Sequence, residues 1–433
     1  MTRVYRAEVF HLVDDPAKTG SESYEYHADG GLTVDDGRVV AIGAWSDIVA
    51  KAPAGAPVER FENALIVPGF IDAHVHFPQL DIIGSCAGHL LEWLDRYAFP
   101  AELRYADPQF AAASAEVFLD ALLRHGTTSA LVFATVHAHA ADALFAAAER
   151  RNMRLITGKV LMDRNAPPAL CDTPESAYAE SKALIEKWHG KGRLRYAVTP
   201  RFACTSSPAQ LAAAGRLLAE HPDVHLHTHI SESEAEIAEV TALFPDSAGY
   251  LDVYDKHGLV RPRALFAHAI HLTDAEWSRL SEAGAAVAFC PSSNLFLGSG
   301  LFDLAKAQAH EVLTALATDV GGGASLSLLA TMRDGYYVCQ LRGAGLDPLQ
   351  AFYLATLGAA RALRLDNHIG NLAPGKEADF LVLDLAATPL LAARMKGAKT
   401  LEEKLLALAI LGDDRAVARA YVAGEAAHAR SRS

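Results

Sequence analysis

Several histidines in this chain stand at spacings that can hold a metal ion. His74-Val75-His76 closes a short apolar run, and alternate residues of a strand face the same way, so both imidazoles can reach one ion. Taken alone, such a pair is more often part of a barrel lining or a surface. Two further clusters follow apolar runs, His137-Ala138-His139 and His225-Leu226-His227-Thr228-His229, and His268 and Asp319 end two more. From His229 the next two candidates lie about 40 and then about 50 residues on, which suits successive βα units of roughly 30 residues or more. Imidazole nitrogens with one carboxylate oxygen fit zinc, and also iron or manganese. A metal would also remove the cost of burying an unpaired aspartate. Within the third cluster, His227 and His229 share a strand face and compete for one ligand position. Glu232 lies just beyond. Ser231-Glu232-Ser233-Glu234 also reads as the opening of a helix, the role expected of Glu234 and Glu236.

These residues need a scaffold that gathers strand ends. Eight short, continuously apolar runs (ALIVPGFID, TSALVFAT, LITGKVL, RYAVTP, VHLHTHI, ALFAHAI, AAVAFCP and ALATDV) alternate with alanine- and leucine-rich stretches of helical spacing. That pattern predicts parallel strands buried on both faces. Chemistry-bearing residues at the C-terminal ends of several different runs favour a (β/α)8 barrel. A doubly wound sheet would more often place a GxGxxG loop after its first strand, and none is present. Gly321-Gly322-Gly323 lacks the phosphate-loop pattern and reads as a tight turn. Residues 1 to about 66 alternate apolar and polar positions around an Asp35-Asp36-Gly37 turn, and strand character returns after about 365, with a leucine-rich helical stretch over 388–412. Both ends are therefore expected to form one small β-sandwich: residues 1–66 plus 370–433, with the barrel spanning 67–369.

The bulk composition narrows the function classes. The chain has 433 residues, 51% hydrophobic and 21% charged, which supports a substantial buried core and excludes disorder as the main state. With 39 basic and 52 acidic residues the net charge is −13, so nucleic acid and anionic membranes are unexpected partners. Five widely spaced cysteines (Cys86, Cys171, Cys204, Cys290, Cys339), without a CxxC pair, argue against a disulfide framework and for a reducing cytoplasm. Acidic residues interrupt the N-terminal segment where a signal peptide would be apolar, and no run of about 18 apolar residues suggests a membrane span.

PGFIDAHVHFPQ, HISES, the His268 strand, ATDVGGG and APGKEADFLVLD resemble the amidohydrolase superfamily. Longer segments, from HFPQLDIIGSCAGHLLEWLDRYAFPAELRYAD through PRFACTSS, CPSSNLFLGSGLF and TDVGGGASLSLLATM, are similar to its guanine deaminase family. The likeness runs from about residue 66 to 385, with the GDDRAVARAYVAGE tail also similar. It implies a distorted (β/α)8 barrel with a composite β-sandwich. It also implies one divalent metal per chain, most simply Zn2+ with Fe2+ or Mn2+ as alternatives, held by His74, His76, His229 and Asp319. His268 is implied beside the ion, orienting its water or ligating directly. His229 is preferred over His227 because the family places its acid-base glutamate three residues after the ligand, here Glu232. A histidine at position 227 departs from the family's usual residue.

The implied reaction converts guanine and water to xanthine and ammonia by a metal-bound hydroxide, with Glu232, Asp319 and His268 catalytic. Coordination lowers the pKa of water from about 15.7 to about 7. His76, Gln79, Arg201, Phe202, His229, Glu232, His268 and Asp319 are the implied substrate contacts; an amide can read a purine edge and a guanidinium can hold a carbonyl oxygen. Leu91, Trp93 and Leu94 are expected to shape a wall or the core, and Cys290 and Asn294 to order a loop. A homodimer is expected by likeness. The rival readings are an aminohydrolase for 8-oxoguanine, a pterin, a triazine or an adenosine derivative, and a non-catalytic barrel scaffold.

Overall fold

A computed structural model describes residues 1–85 and 88–430, so Cys86 lies outside the described residues. The chain begins with β1 (Arg3–Leu12), β2 (Tyr24–Asp35), β3 (Arg38–Ala44) and β4 (Val58–Pro68). Asp36 and Gly37, with φ of 47° and 73°, make the two-residue β2–β3 turn; both central positions of such a turn need positive φ. There follow β5 (Phe70–His76), β6 (Thr127–Phe133), β7 (Arg154–Gly158), the short β8 (Val160–Leu161), β9 (Arg195–Pro200), β10 (His225–Ile230), β11 (Ala264–His268), β12 (Ala286–Phe289) and β13 (Leu313–Leu316). The chain closes with β14 (Phe380–Asp384), β15 (Val417–Val422) and β16 (Glu425–Ala429).

Both chain ends build one seven-stranded sheet, ordered β16-β15-β14-β4-β1-β2-β3, around its own apolar cluster that includes Tyr5, Leu32, Ile66, Phe380 and Tyr421. The middle of the chain builds a parallel sheet, β5-β6-β7-β9-β10-β11-β12-β13, with β8 paired to β9. It is a nearly closed (β/α)8 barrel. Two backbone bonds join its first strand to the segment just after its last: Asp319 N–H donates to His74 O at 2.8 Å, and His76 N–H to Val320 O at 2.7 Å.

The apolar run ALIVPGFID is shared between the two sheets. Its first half ends β4 and its second half begins β5, and Gly69 makes the passage: a Cβ there would lie 2.1 Å from Thr128 Oγ1. Helices cover the barrel for local reasons. In Pro108–Arg124, the Asp107 side chain caps the Gln109 N–H, Pro108 opens the first turn, and Ala111, Ala115, Phe118, Leu119 and Leu122 form the buried stripe.

The barrel interior is filled mostly by small residues, among them Ala73, Ala197, Ala267, Ala286, Ala288, Ala315 and Ala317. β10 adds none of its residues to that cluster. Its alternate positions are His225, His227 and His229, which by period 2 share one face. Alanines elsewhere leave the volume that a group of imidazoles needs. No helix among the described residues is long and apolar enough to cross a membrane.

Candidate metal centre and active site

Four side chains from three strand ends converge. The β5 pair His74 and His76, His229 of β10 and Asp319 beyond β13 offer ligand atoms that all lie within 4.8 Å of one another, every one buried. His76 Nε2 stands 3.2 Å from His74 Nε2 and 3.3 Å from His229 Nε2. Asp319 Oδ1 lies 3.0 Å from His74 Nε2 and 3.2 Å from His76 Nε2. Burial pushes these imidazoles down in pKa, His76 to about 3 and His229 well below its ordinary value, so they are neutral. Burial would raise the Asp319 carboxyl, but the facing His74 and His76 hold it well below the usual carboxylate range.

The donor set fits a divalent cation. A neutral imidazole has one N–H. His229 spends its own at Nδ1, donating to Arg201 O at 2.7 Å. His74 Nδ1 lies 2.6 Å from His227 Nε2; with the proton assigned to Nδ1, His74 donates there. The Nε2 lone pairs of both then point at the cluster, where a proton cannot satisfy them all. Ligands about 2.0 Å from a tetrahedral ion stand about 3.3 Å from one another, which matches the observed nitrogen spacings. His227 is thus not in the convergent group; it lies behind His74.

Fixed neighbours hold the ligand strands. Asp72, wholly buried, accepts from Thr318 Oγ1 at 2.5 Å, Thr318 N at 3.1 Å and His74 N at 3.3 Å, joining β5 to the segment bearing Asp319. Burial above all lifts its pKa to about 7. Asp319 and His268 sit at φ of 49° and 72°, a region that non-glycine residues seldom occupy and that recurs at functional sites. The Gly321-Gly322-Gly323 turn packs without room for side chains. A Cβ on Gly323 would meet Thr318 O at 1.8 Å, and one on Gly321 would meet Gln79 O at 2.6 Å.

Glu232 and His268 stand beside the cluster. Burial, then the charge of Asp319, raises the Glu232 carboxyl to about 8. Ser299 Oγ donates to Glu232 Oε1 at 3.0 Å. His268 Nδ1 lies 2.8 Å from Asn294 Oδ1 and donates to it, since a carbonyl oxygen can only accept. His268 Nε2 faces Glu232 Oε2 at 3.3 Å and Asp319 Oδ2 at 3.7 Å and is a buried atom without a hydrogen bond. His268 therefore stands outside the four-atom group, in a second group with Cys290 and Asp319. Burial pushes the Cys290 thiol well up, which keeps it protonated. Glu236 does more than open its helix. Its Oε2 accepts from Glu232 N at 2.7 Å and Ser233 N at 3.2 Å, and its Oε1 from Tyr250 OH at 2.6 Å, which fixes the backbone carrying Glu232.

One cavity opens over these groups. His76, Gln79, Trp93, Leu94, Arg201, Phe202, His229, Glu232, His268, Asp319 and Gly322 line it together with Leu90 and Leu297. Leu91 packs against the core beside it. His137 and His139 are elsewhere: His137 precedes the helix Ala138–Arg150, and His139 bonds Tyr105 O at 2.8 Å. Gln79 is less versatile than its residue type suggests, because its Oε1 already accepts from Gly321 N at 3.1 Å and its Nε2 donates to Glu102 Oε1 at 3.1 Å. Sequence reasoning did not single out Asp72, Glu102 or Ser299. Asp72 stands inside the PGFIDAHVH segment, which offered the one available signal.

The amidohydrolase family profile matches residues 65–427. Over 424 residues the chain is 48% identical to the guanine deaminase of Escherichia coli K12, covering 98% of this chain and 96% of that protein. A solved structure of E. coli guanine deaminase superposes with a TM-score of 0.96 at 46% identity and full coverage of both chains. A guanine deaminase from C. acetobutylicum with guanine bound in its active site superposes with a TM-score of 0.87 at 26% identity, covering 98% of this chain and 100% of that one. A buried His/Asp group that fits a divalent ion, at the C-terminal end of a (β/α)8 barrel, and these likenesses lead to one conclusion: this chain belongs to the amidohydrolase family.

Proposed function

We infer that the protein hydrolyses guanine to xanthine and ammonia. In this reading the bond from C2 to the exocyclic nitrogen breaks and a bond from C2 to the oxygen of water forms. The observation that carries the reading is the cavity over the convergent His74, His76, His229 and Asp319, lined also by Glu232, Gln79 and Arg201, in a chain 48% identical to a guanine deaminase. His74, His76, His229 and Asp319 would hold one divalent ion. When bound, that ion supplies a nucleophilic hydroxide at neutral pH. Zinc is the ion of this reading; the same nitrogen and oxygen donors also accept Fe2+ and Mn2+.

The chain's own groups do the rest. Glu232, with its pKa raised to about 8, sits where it can take one proton from water and pass it to a ring nitrogen, then take the second from the newly added oxygen and pass it to the leaving amine. Ser299 holds one carboxyl oxygen of Glu232, which leaves the other, beside His268, free to exchange protons. Asn294 fixes the His268 ring with Nε2 toward Glu232 and Asp319. Arg201 has hydrogen-bond donors for a carbonyl oxygen of the base, and Phe202 adds an apolar wall.

A substrate panel of guanine, 8-oxoguanine, adenine, cytosine and pterins, with ammonia detected and metal content assayed, tests this reading. Guanine should be turned over well above the rest. Turnover of another heterocycle with none of guanine would move the substrate assignment within the same chemistry, and a metal-free folded protein inert on all would favour a scaffold.

The same reading includes a cytoplasmic homodimer. Cys171, Cys204, Cys290 and Cys339 are free, as a reducing compartment requires. Tyr337 and Leu341 are exposed apolar residues one turn apart on the helix Leu328–Leu341, suited to a second copy, and light scattering would report the mass. Residues 1–66 with 370–433, and residues 67–369, are proposed as the two folding units, and limited proteolysis would report where the chain is cut.

A further inference from the structure

Glu102 is a wholly buried carboxylate on the short helix Phe99–Leu103, outside the barrel strands and outside the cavity lining. A single oxygen, Oε1, accepts from Arg201 Nη1 at 2.7 Å and from Gln79 Nε2 at 3.1 Å. The two donors come from different places: Gln79 from the turn after β5, Arg201 from the residue after β9. Both line the cavity. Arg201 is also packed with its guanidinium carbon 5.5 Å from the Phe99 ring centroid, on the same short helix.

Two chemical consequences follow. With Gln79 Oε1 engaged by Gly321 N–H and one amide hydrogen engaged by Glu102, the hydrogen that Gln79 has left is a donor. Arg201 has only donors. The wall they form therefore matches a ligand edge that carries acceptors, such as a carbonyl oxygen and a ring-nitrogen lone pair. The second consequence is charge: Glu102 offsets the guanidinium, so the wall as a whole is neutral and suits an uncharged base rather than an anion. An unpaired guanidinium at this depth would be costly to keep and would attract anions instead.

We propose that Glu102 is a positioning residue for substrate selection: through Arg201 and Gln79 it presents a fixed, neutral array of donors to an acceptor-bearing heterocycle. This rests on the reading that the cavity takes guanine. Glu102→Gln keeps the shape and removes the charge. In that variant KM for guanine should rise about tenfold or more, as expected for loss of a charge-assisted hydrogen bond that supports binding, while kcat changes by less than about threefold. Metal content should stay at the wild-type value and the variant should remain folded.

Because part of the Glu102 effect runs through Arg201, the rise in KM of the double variant with Arg201→Gln should be clearly less than the product of the two single rises. Glu102→Asp, which keeps the charge, should recover part of the affinity. An unchanged KM in Glu102→Gln, or effects of the two substitutions that multiply in the double variant, would overturn the proposal. So would loss of metal and early melting in both Glu102 variants, which would make the role structural. Wild-type protein that does not deaminate guanine would instead overturn the functional reading on which the proposal stands.

Discussion

Among individual side chains, chemistry depends on which nitrogen keeps its proton. His227 accepts from His74 Nδ1 at 2.6 Å and so leaves Nε2 of His74 as the free electron pair at the cluster. Removing that outer partner with His227→Ala should weaken metal affinity by about 10- to 100-fold, measured by competition with a chelator; an unchanged affinity would show that the His74 ring needs no such support. Glu232→Gln leaves the four ligand groups untouched but cannot take up or release the proton. It should lower kcat by about 10²- to 10⁴-fold with full metal occupancy, read from steady-state rates beside elemental analysis. Full activity in that variant would remove Glu232 from the proton path.

At the level of elements, the site is made by strand ends tied together behind the ligands. Thr318 and Asp72 form such a tie, from the segment after β13 to β5. Thr318→Val deletes one hydrogen bond to a buried carboxyl and should cost about 1–3 kcal/mol, measured by denaturant unfolding. The eight apolar runs were legible as barrel strands because burial on both faces leaves a continuous apolar signature. The two sheets sharing ALIVPGFID were not separable there, since the run is equally buried in both and only Gly69 marks the passage. The strand-end histidines and Asp319 could be read as a set because their spacing follows the βα repeat. Strand geometry alone left His227 and His229 as rivals, both on the same face of β10; the family likeness preferred His229, and the fold shows the physical difference, which is the ring each one meets. Glu102 left no trace in the sequence pattern. It lies in a short helix, and its importance comes from Arg201, 99 positions away. Glu236 did look like a first-turn helix acid, which it is, but Tyr250 and the Glu232 backbone meet it only in the folded chain.

On the scale of the whole molecule, the barrel is fastened to the terminal sheet by buried charge. Arg193 donates to Glu377 at 2.8 Å and also to Asp379, while Arg154 donates to Glu377 at 2.9 Å. Arg193→Ala would leave the buried Asp379 without its arginine and Glu377 with Arg154 alone, and should destabilise by about 3–5 kcal/mol, measured by thermal or denaturant unfolding. The pH dependence has a definite sign. Burial would raise the Glu377 carboxyl, but Arg154 and Arg193 hold its pKa below the ordinary 4.5. A carboxyl depressed on folding contributes stability above its unfolded pKa and loses it as pH falls through the folded one. Wild-type protein should therefore lose this contribution only below about pH 4.5, and Glu377→Gln should melt with a shallower acid dependence there; identical acid profiles would contradict this. All of these ties serve one cavity and one proposed reaction, which labelled water tests most directly. Metal-assayed protein incubated with guanine in 18O-water should release one ammonia for each xanthine, with the xanthine carrying one labelled oxygen. Unchanged guanine, or xanthine without the label, would contradict hydrolytic deamination at this site.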